Sequence, residues 1–498
     1  MKFAIVIILT IVGLSSAANI LGFFTIPAKS HHRTLYPIFE ALAAKGHNVT
    51  VVTAYPKNER LENFREIDVS FTIDIHFDLA KKYFTRLPAD TYFFEIIYNW
   101  LTIISDTLDK VIELDEIKDL LKGHFDAIIV ENVTPLTYFM GIVNKAPIIG
   151  MSSVKGWINA HDALGNPLHP VLSPNFFLKS GDNPSFLERL TSTMYYVTYR
   201  LLYRYYEMPR STKIARKHFG DDIPHLGDIE RNMSLALFIS NWVQNEIKPT
   251  VPSVVDINMI HIKPNKFLDG SPQGVIYFSM GTYGMTYTVT QQKMSIFKEV
   301  FASLPYRVIW KTDMIQEMPS NVLAKNWFPQ NDILAHPNVK AFITQGGSHS
   351  IEEAIFNAIP LVVFPVVIDQ EQNAKRIVHK GMGLNLDIME VSNRTLRESI
   401  VEVAENKRYK KTALKLSKIL KDQPMMGVEK AVWWVEYVIR HNGAHHLRSG
   451  FVDMPFYQYY LLDVMGFILL STLLFIIGVY KLMNFFVNER IANKLKTQ

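Results

Sequence analysis

Short apolar runs alternate with helical patterns along most of the chain, and this alternation predicts the fold class. The runs are bounded by Gly, Pro or polar residues, as buried parallel strands are. In order they are Ile20–Phe24, Val49–Thr53, Phe125–Val130, Pro147–Met151, Ala236–Ser240, Val275–Met280, Arg307–Trp310, Lys340–Thr344 and Leu361–Phe364. Strands that alternate with helices in this way predict an α/β protein built from doubly wound parallel sheets.

Polar residues stand where the first and third predicted strands end, and parallel sheets form their sites at that edge. The polar segment Pro27–Arg33 is predicted to be a loop before a helix over Tyr36–Lys45. This loop would place His31 and His32 beside the sheet, and Glu131 directly follows the third strand. A lone loop histidine is more often a solvated surface residue than a catalytic one. Glu131 could equally be an exposed strand terminus.

The stretch that begins at Trp327 holds the densest group of such signals. One strand runs into the turn Gln345-Gly346-Gly347, a helix is predicted over Ser350–Ile359, and the next strand leads to Asp369-Gln370. This order is a βαβ unit with polar residues at the carboxyl end of each strand. It predicts the binding half of a small-molecule site.

Both ends of the chain carry apolar segments that differ from core strands. Lys2 precedes the apolar run Phe3–Leu14 and a group of small residues, which is the pattern of a signal peptide cleaved before Asn19. The uncharged run Val464–Tyr480 would span about 26 Å at ~1.5 Å per residue. Because charges flank it, a membrane span is favoured over a buried helix.

The tail after this span is basic, which favours the cytoplasm and leaves the bulk of the chain in the lumen. Lys494 and Lys496 match a dilysine retrieval pattern. We therefore expect a single-pass type I protein of the endoplasmic reticulum membrane. Sequons that fit a lumenal location stand at Asn48, Asn132, Asn232 and Asn393.

Composition excludes several classes of function. The 498 residues carry a formal net charge of only +5, and no basic tract with interleaved aromatics indicates nucleic-acid binding. Cysteine is absent, which removes disulfides, thiolate metal sites and cysteine nucleophiles. The length suits two large α/β domains with additional segments.

Two further segments affect the organisation. Residues 249–274 are rich in Pro, Lys and Asn, and they mark an interdomain linker. The helix predicted over Leu187–Glu207 carries six tyrosines, residues that favour membrane interfaces. We therefore expect this helix on the lumenal leaflet, with burial against the domain core as the open alternative.

Taken together, these residues resemble the UDP-glycosyltransferase family, of the membrane-bound animal type. The resemblance rests on Ser30-His31, on Gly46-His47 with the strand that follows, on Gly274–Thr282, on the ordered stretch 327–383, and on the terminal span with its dilysine tail. The Gln345-Gly-Gly variant is most like insect members. The resemblance implies a GT-B type fold with two facing Rossmann-like domains, a UDP-sugar as co-substrate, and no metal or other cofactor.

The resemblance also implies a domain organisation, from the N-terminus to the C-terminus. It is a signal peptide 1–18, an acceptor-binding Rossmann-like domain 19–244, a linker 245–270, a UDP-sugar-binding Rossmann-like domain 271–440, a membrane-proximal connector 441–463, a transmembrane helix 464–480 and a cytoplasmic tail 481–498.

The resemblance also implies a set of donor-binding residues. Trp327 would stack on uracil, Gln330 would bind the nucleoside, the glycine turn and Ser350 would meet the diphosphate, and Glu353 would meet the ribose. Asp369 and Gln370 would grip the sugar hydroxyls. The whole donor set is Thr282, Trp327, Gln330, Gln345, Gly346, Gly347, Ser350, Glu353, Asp369 and Gln370.

Ordinary structural roles compete with three of these assignments. Trp327 could be a core tryptophan. Ser350 and Glu353 spell a capping box, Ser-x-x-Glu, which would explain both residues as a helix start. Asp369 could be the N-cap of the helix that follows it.

The implied reaction is displacement at the anomeric carbon with inversion. His31 is the family's general base, and Glu131 stands at the position of the family's aspartate, which orients that base. The acceptor would be a hydroxyl of a small lipophilic molecule, in detoxification or conjugation, and the insect resemblance points to UDP-glucose. Whether the chain forms a homo-oligomer stays open.

Three departures from the family pattern keep a second hypothesis open. Gln345 replaces a histidine often found there, Glu131 is one methylene longer than the usual aspartate, and the segment 256–270 is shorter than in typical relatives. The alternative is therefore a non-catalytic protein that binds a UDP-sugar or a lipophile.

Overall fold

The computed structural model describes residues 17–24, 26–57, 59, 61–84, 93–175, 178, 184–245, 247–260, 273–281, 291–313, 317–366 and 369–496. The chain divides into two compact units, Met1–Arg448 and Ser449–Gln498. Most of the predicted signal peptide and Thr282 lie outside the described residues.

Two parallel sheets form the framework of the first unit. The strands are β1 (Asn19–Phe23), β2 (Asn48–Thr53), β3 (Phe64–Asp68), β4 (Ala127–Glu131), β5 (Ile148–Ser152), β6 (Leu235–Ile239), β7 (Val254–Ile257), β8 (Val275–Ser279), β9 (Arg307–Lys311), β10 (Val322–Lys325), β11 (Val339–Thr344), β12 (Leu361–Val363) and β13 (Gly383–Asn385).

Helices connect these strands. They are α1 (Lys29–Ala44), α2 (Thr72–Phe84), α3 (Phe93–Ile112), α4 (Asp115–Leu120), α5 (Phe139–Asn144), α6 (Ile158–Ala163), α7 (Phe186–Leu202), α8 (Met208–Phe219), α9 (Leu226–Glu230), α10 (Gln291–Ala302), α11 (Gln330–Leu334), α12 (Ser348–Phe356), α13 (Gln370–His379), α14 (Asn393–Glu405), α15 (Lys407–Lys421) and α16 (Gly427–Arg440). Short 3-10 turns cover Pro135–Tyr138 and His445–Leu447, and a π-helical turn covers Tyr203–Glu207.

The strand orders confirm the predicted doubly wound α/β class. The first sheet runs β3-β2-β1-β4-β5-β6-β7 and the second runs β10-β9-β8-β11-β12-β13. All pairings within them are parallel. The strand order reverses between β1 and β4 and again between β8 and β11. In open sheets of this kind, ligands bind at the carboxyl ends of the strands beside such a reversal.

The first sheet is buried on both faces, as parallel sheets generally are. All five residues of β4 and of β6 are buried. One face packs on helices that contribute Leu101 and Tyr138, and the other packs on α1 through Leu35 and Phe39. Each fully buried large apolar side chain contributes about 1.5–3 kcal/mol to folding.

The last helix of the predicted second domain packs on the first sheet. Ala431, Val432, Val435 and Val438 of α16 belong to the same buried cluster as Phe39. Gly427 begins this helix, and a Cβ placed there would lie 1.6 Å from the backbone oxygen of Asn258. The chain therefore returns to its first domain after completing the second, which the predicted boundary at residue 440 did not anticipate.

Part of the predicted linker belongs to the first sheet. Val254–Ile257, inside the expected linker 245–270, forms β7 and pairs with β6. The strand is four residues long and lies at the sheet edge, so its Pro-rich surroundings concealed it. β3 was missed for a similar reason, because three of its five residues are charged and only Ile67 is buried.

The helix after β1 begins earlier than predicted. It starts at Lys29, so His31 and His32 lie in its first turn and not in a loop. Pro37 lies inside the helix, whereas a proline near the start of a helical pattern usually marks the first turn. The predicted start at Tyr36 is therefore about two turns too late.

Four of the six tyrosines of the predicted helix face the core, whereas Tyr205 in the π-helical turn is 73% exposed. Tyr195, Tyr196, Tyr199 and Tyr203 are buried, and the Tyr199 hydroxyl donates to Asn159 Oδ1 at 2.8 Å. The structure therefore favours core packing for these side chains, the alternative that the sequence had left open.

The second unit is mainly one long helix. After a 3-10 turn at Gly450–Asp453 and α17 (Phe456–Tyr459), α18 runs from Leu462 to Lys496. Within the described residues, Leu462–Asn488 is the one stretch long and apolar enough to cross a membrane, and its most apolar part is not buried inside the protein. It extends beyond the predicted 464–480 because apolar residues resume after Lys481.

Burial distinguishes the sequons, which gives a prediction about glycosylation. Asn132 is completely buried, and a Cβ placed on Gly150 would lie 2.5 Å from its amide nitrogen, whereas Asn232 is exposed. A glycan at Asn132 could not be accommodated in the folded protein, so we expect peptides from the purified, folded protein to carry glycan at Asn232 and none at Asn132. Mass spectrometry of site occupancy checks this, and an occupied Asn132 in the folded protein would contradict it.

Candidate active site

The strand reversal of the first sheet brings His31 and Glu131 together. His31 lies in the first turn of α1, and its Nδ1–H donates to Oε1 of Glu131 at the end of β4. Oε2 of Glu131 accepts from the backbone N–H of Ile26 at 3.1 Å. The Glu131 side chain is buried, while that of His31 is 18% exposed. With Nδ1 engaged, Nε2 is the ring nitrogen that can receive a proton.

The electrostatics of Glu131 favour its ionised form. Burial raises the pKa of this carboxyl, but the positive charge and hydrogen bond available from His31, together with the Ile26 N–H, lower the pKa below its ordinary value. The extra methylene of Glu131, compared with aspartate, therefore does not prevent contact with the imidazole. The pair has the arrangement of a histidine oriented by a carboxylate.

His32 differs from His31 in every respect that matters for catalysis. It is 3% exposed, its Nδ1–H donates to the Ala28 carbonyl at 3.1 Å, and its ring stacks on Phe24 with centroids 4.0 Å apart. Burial lowers the pKa of His32 to about 4. It is a neutral core histidine at physiological pH.

The glycine turn lies at the strand reversal of the second sheet, directly after β11. Gly346 has φ +85, and a Cβ there would lie 2.6 Å from Val363 Cγ1. Gly347 is the N-cap of α12 and has no side chain to cap it. The Asp369 carboxylate hydrogen-bonds to the backbone N–H of Ser348, and the N-terminus of this helix presents its positive dipole end to an anion.

The capping-box interpretation of Ser350 and Glu353 is wrong. The helix begins at Ser348, so Ser350 is its third residue and cannot be the N-cap. Gln330 Nε2 instead donates to Ser350 Oγ at 3.0 Å and to Glu353 Oε2 at 2.5 Å. Three residues of the predicted donor set are thus brought into one hydrogen-bonded group, with the Glu353 carboxylate buried.

Trp327 precedes this group in sequence, and Gln345 lies between Gln330 and Ser350. Trp327 is 55% exposed, which excludes the core role. Gln345 lies against Gly281, whose φ is +71, and a Cβ on Gly281 would come within 2.2 Å of Gln345 Nε2. Only glycine fits at position 281, and the role of its neighbour Thr282 stays a prediction.

Asp369 and Gln370 begin α13 on the same edge of the sheet. Asp369 occupies the N-cap position, but its carboxylate makes no cap hydrogen bond. It accepts from Asn373 Nδ2 at 2.7 Å, and burial raises the pKa of this carboxyl. Gln370 Oε1 accepts from the Val366 N–H at 2.8 Å, so part of this side chain fixes the loop before the helix.

Contacts between the two domains converge on the start of α12. Arg33 Nη2 donates to Glu353 Oε1 at 3.3 Å. Gln244 Nε2 donates to Ser348 Oγ at 2.8 Å, and Asn241 Nδ2 donates to the buried Glu352 at 3.2 Å. The His31–Glu131 pair and the glycine turn therefore belong to one cleft.

Sequence reasoning missed several of these residues. Arg33 directly follows the two histidines, and its proximity to His31 was an available signal. Asn373 lies one helical turn after Asp369, so an i, i+4 pair could have been expected. Glu352 gave no distinguishing signal, because a second glutamate beside Glu353 reads as an ordinary exposed helical residue.

The paired sheets and the cleft between them define a class of protein. A solved UDP-glucosyltransferase from Polygonum tinctorium superposes with a TM-score of 0.55 at 13% identity, covering 86% of this chain and 99% of that one. Other solved structures with a similar fold are also described as glycosyltransferases. The chain has the GT-B fold of two Rossmann-like domains.

The sequence comparisons identify the family. The profile described as UDP-glucoronosyl and UDP-glucosyl transferase matches residues 23–497. UDP-glycosyltransferase UGT5 of Dactylopius coccus is 34% identical over 482 residues, which is 93% of this chain and 91% of that protein. Ecdysteroid UDP-glucosyltransferase of Spodoptera littoralis nuclear polyhedrosis virus is 29% identical over 511 residues, with 93% and 96% covered. The chain belongs to this family and is a UDP-glycosyltransferase.

Proposed function

We propose that this enzyme transfers glucose from UDP-glucose to a hydroxyl of a small lipophilic acceptor, with inversion at the anomeric carbon. The observation that carries the proposal is the position of the His31–Glu131 pair across one cleft from the glycine turn and Glu353. The relative named an ecdysteroid UDP-glucosyltransferase supports both the sugar and the apolar character of the acceptor. Conjugation of such acceptors would serve detoxification.

The proposed chemistry begins at His31. Nε2 takes the proton of the acceptor hydroxyl as that oxygen attacks the anomeric carbon. The bond from this carbon to the UDP oxygen breaks on the opposite face, which inverts the configuration. The Glu131 carboxylate holds the ring in the required tautomer and stabilises the imidazolium that forms.

The second domain would hold the donor. Trp327 offers an exposed face for uracil, and Glu353 would accept from ribose hydroxyls. The N-terminus of α12, with Ser350 and the Gln345 amide, would stabilise the diphosphate and the departing UDP. Asp369 and Gln370 would receive the hydroxyls of the sugar. UDP-sugar is the co-substrate, and no step in this proposal uses a metal.

The location that fits this proposal is the endoplasmic reticulum membrane. The apolar stretch Leu462–Asn488 would anchor the enzyme, with its catalytic domains in the lumen and its basic tail, including Lys494 and Lys496, in the cytoplasm. A lipophilic acceptor partitions into the same membrane, which would raise its concentration near the enzyme.

The deciding experiment is a transfer assay with membranes that express the full chain. It combines several UDP-sugars with a panel of phenols and other hydroxyl acceptors, and NMR of the product determines the anomeric configuration. Preference for UDP-glucose and a β-linked product are expected. A product of retained configuration would overturn the mechanism, and UDP binding without transfer to any acceptor would overturn the proposed function.

Trp327→Ala tests the uracil contact. Loss of aromatic stacking on a base costs about 1–3 kcal/mol, so we expect the KM for the UDP-sugar to rise about tenfold while the KM for the acceptor stays unchanged. Trp433→Ala is the matched control, because Trp433 is a 40% exposed tryptophan on α16. Equal effects of the two substitutions on the donor KM would contradict the assignment.

A further inference from the structure

Arg33 places a cation from the first domain inside the donor half of the cleft. It lies in α1, two residues after His31, and its Nη2 is 3.3 Å from Oε1 of Glu353. The Glu353 side chain is 2% exposed, while that of Arg33 is 44% exposed. The guanidinium therefore lies at the cleft surface, directly over a buried carboxylate on α12.

The contact with Glu353 engages only part of the hydrogen-bond donors of the guanidinium. Arg33 carries five N–H donors in a fixed fork, and Glu353 is its one hydrogen-bond partner among the described residues. Glu353 also accepts from Gln330 on its other oxygen, so Arg33 is not needed alone to compensate the buried carboxylate. The remaining donors of Arg33 are free to contact a second anion in the cleft.

Other positive groups near Arg33 favour such an anion. Lys311, at the end of β9, donates to the Gly281 carbonyl at 2.9 Å, and the positive charges of Lys29 and Arg33 are near enough to help lower its pKa, although burial is the larger cause. Lys29 and Arg33 of the first domain thus lie near Lys311 of the second, which contacts Gly281, while Arg33 contacts α12 through Glu353. A diphosphate fits this surrounding better than a neutral sugar does.

We propose that Arg33 binds the diphosphate of the donor from across the cleft while it stays paired with Glu353. This assignment rests on the proposed function and extends it, because the acceptor domain would then contribute to donor binding. It also couples nucleotide binding to the helix that carries His31. Bound UDP would hold α1, and with it the base, against the second domain.

The test is the binding of UDP and of uridine to the full-length enzyme in detergent micelles, measured by calorimetry. Loss of a charge-assisted hydrogen bond corresponds to roughly 10- to 100-fold weaker binding. For Arg33→Gln we expect this loss for UDP and little change for uridine, and Arg33→Lys should recover part of it. The UDP affinity of the wild type should also fall more steeply with salt than that of Arg33→Gln.

Arg65→Gln is the matched control, because Arg65 is an exposed arginine of the same domain that pairs with one carboxylate, Glu116, at 3.0 Å. Unchanged UDP affinity in Arg33→Gln, or equal losses for UDP and uridine, would overturn the assignment to the diphosphate. Binding does not depend on turnover, so failure of the proposed transfer reaction and failure of the Arg33 assignment give different results.

Discussion

Replacing His31 by alanine should lower kcat for sugar transfer by about 10²–10⁴-fold, the range expected when a general base is removed. The acceptor hydroxyl would then have to lose its proton to water, since no other group has been assigned to that position. Affinity for UDP should stay within a factor of about two, because the donor contacts come from the second domain and from Arg33. Initial rates at saturating UDP-glucose, together with UDP calorimetry, measure both quantities.

His32→Ala is the control for this experiment. It removes the neighbouring imidazole, but that ring is buried against Phe24 and bonded to the Ala28 carbonyl. We expect lower thermal stability and an unchanged kcat per folded molecule. If transfer survived in His31→Ala but was lost in folded His32→Ala, His32 would be the general base, and the proposed catalytic scheme would fail.

Glu131→Gln should be the second most damaging substitution, with a loss of about 10²–10⁴-fold in kcat. The amide nearly preserves shape, but it removes the negative charge that stabilises the His31 imidazolium and can select the wrong tautomer. Glu131→Asp keeps the charge and draws the carboxylate back by one methylene. We therefore expect intermediate activity for the aspartate variant, and equal rates for the two variants would indicate a purely structural role.

The lowered pKa of Glu131 gives this prediction a pH dependence. Because folding favours its ionised form, Glu131 contributes stability above its ordinary pKa near 4.5 and loses that contribution as pH falls through the lower folded-state pKa. The melting temperature of the wild type should exceed that of Glu131→Gln, and this difference should be largest near neutral pH and shrink in acid. A difference independent of pH would mean that Glu131 is not ionised in the folded protein.

The sequence predicted the framework of the site because its signals are local. The apolar runs that became β1, β4, β8 and β11 are continuous and bounded by turn residues, as strands buried on two faces are. Parallel strands bring their carboxyl ends to one edge, so the residues that directly follow them could be grouped from the amino-acid sequence alone. This reasoning located His31, Glu131 and the Gln345-Gly346-Gly347 turn.

The remaining features depend on long-range packing that no local pattern records. The partner of Glu353 is Arg33, which lies 320 positions earlier in the chain, and the capping-box signal at Ser350 pointed to a local role instead. The short edge strands β7 and β3 lack continuous apolar runs, because one face or one edge is solvated. The start of α1 was predicted too late, and the surrounding core holds this helix together through Pro37 although proline removes one helical hydrogen bond.

The position of α16 has a consequence for synthesis of the enzyme. Its valines complete the core under the first sheet, yet they lie near residue 435, after the whole second domain. Domains usually fold as they leave the ribosome, the N-terminal one first, but here the apolar face of α1 and β1 stays uncovered until about residue 440 has emerged. The first domain can therefore complete this part of its core only after the second domain has been translated.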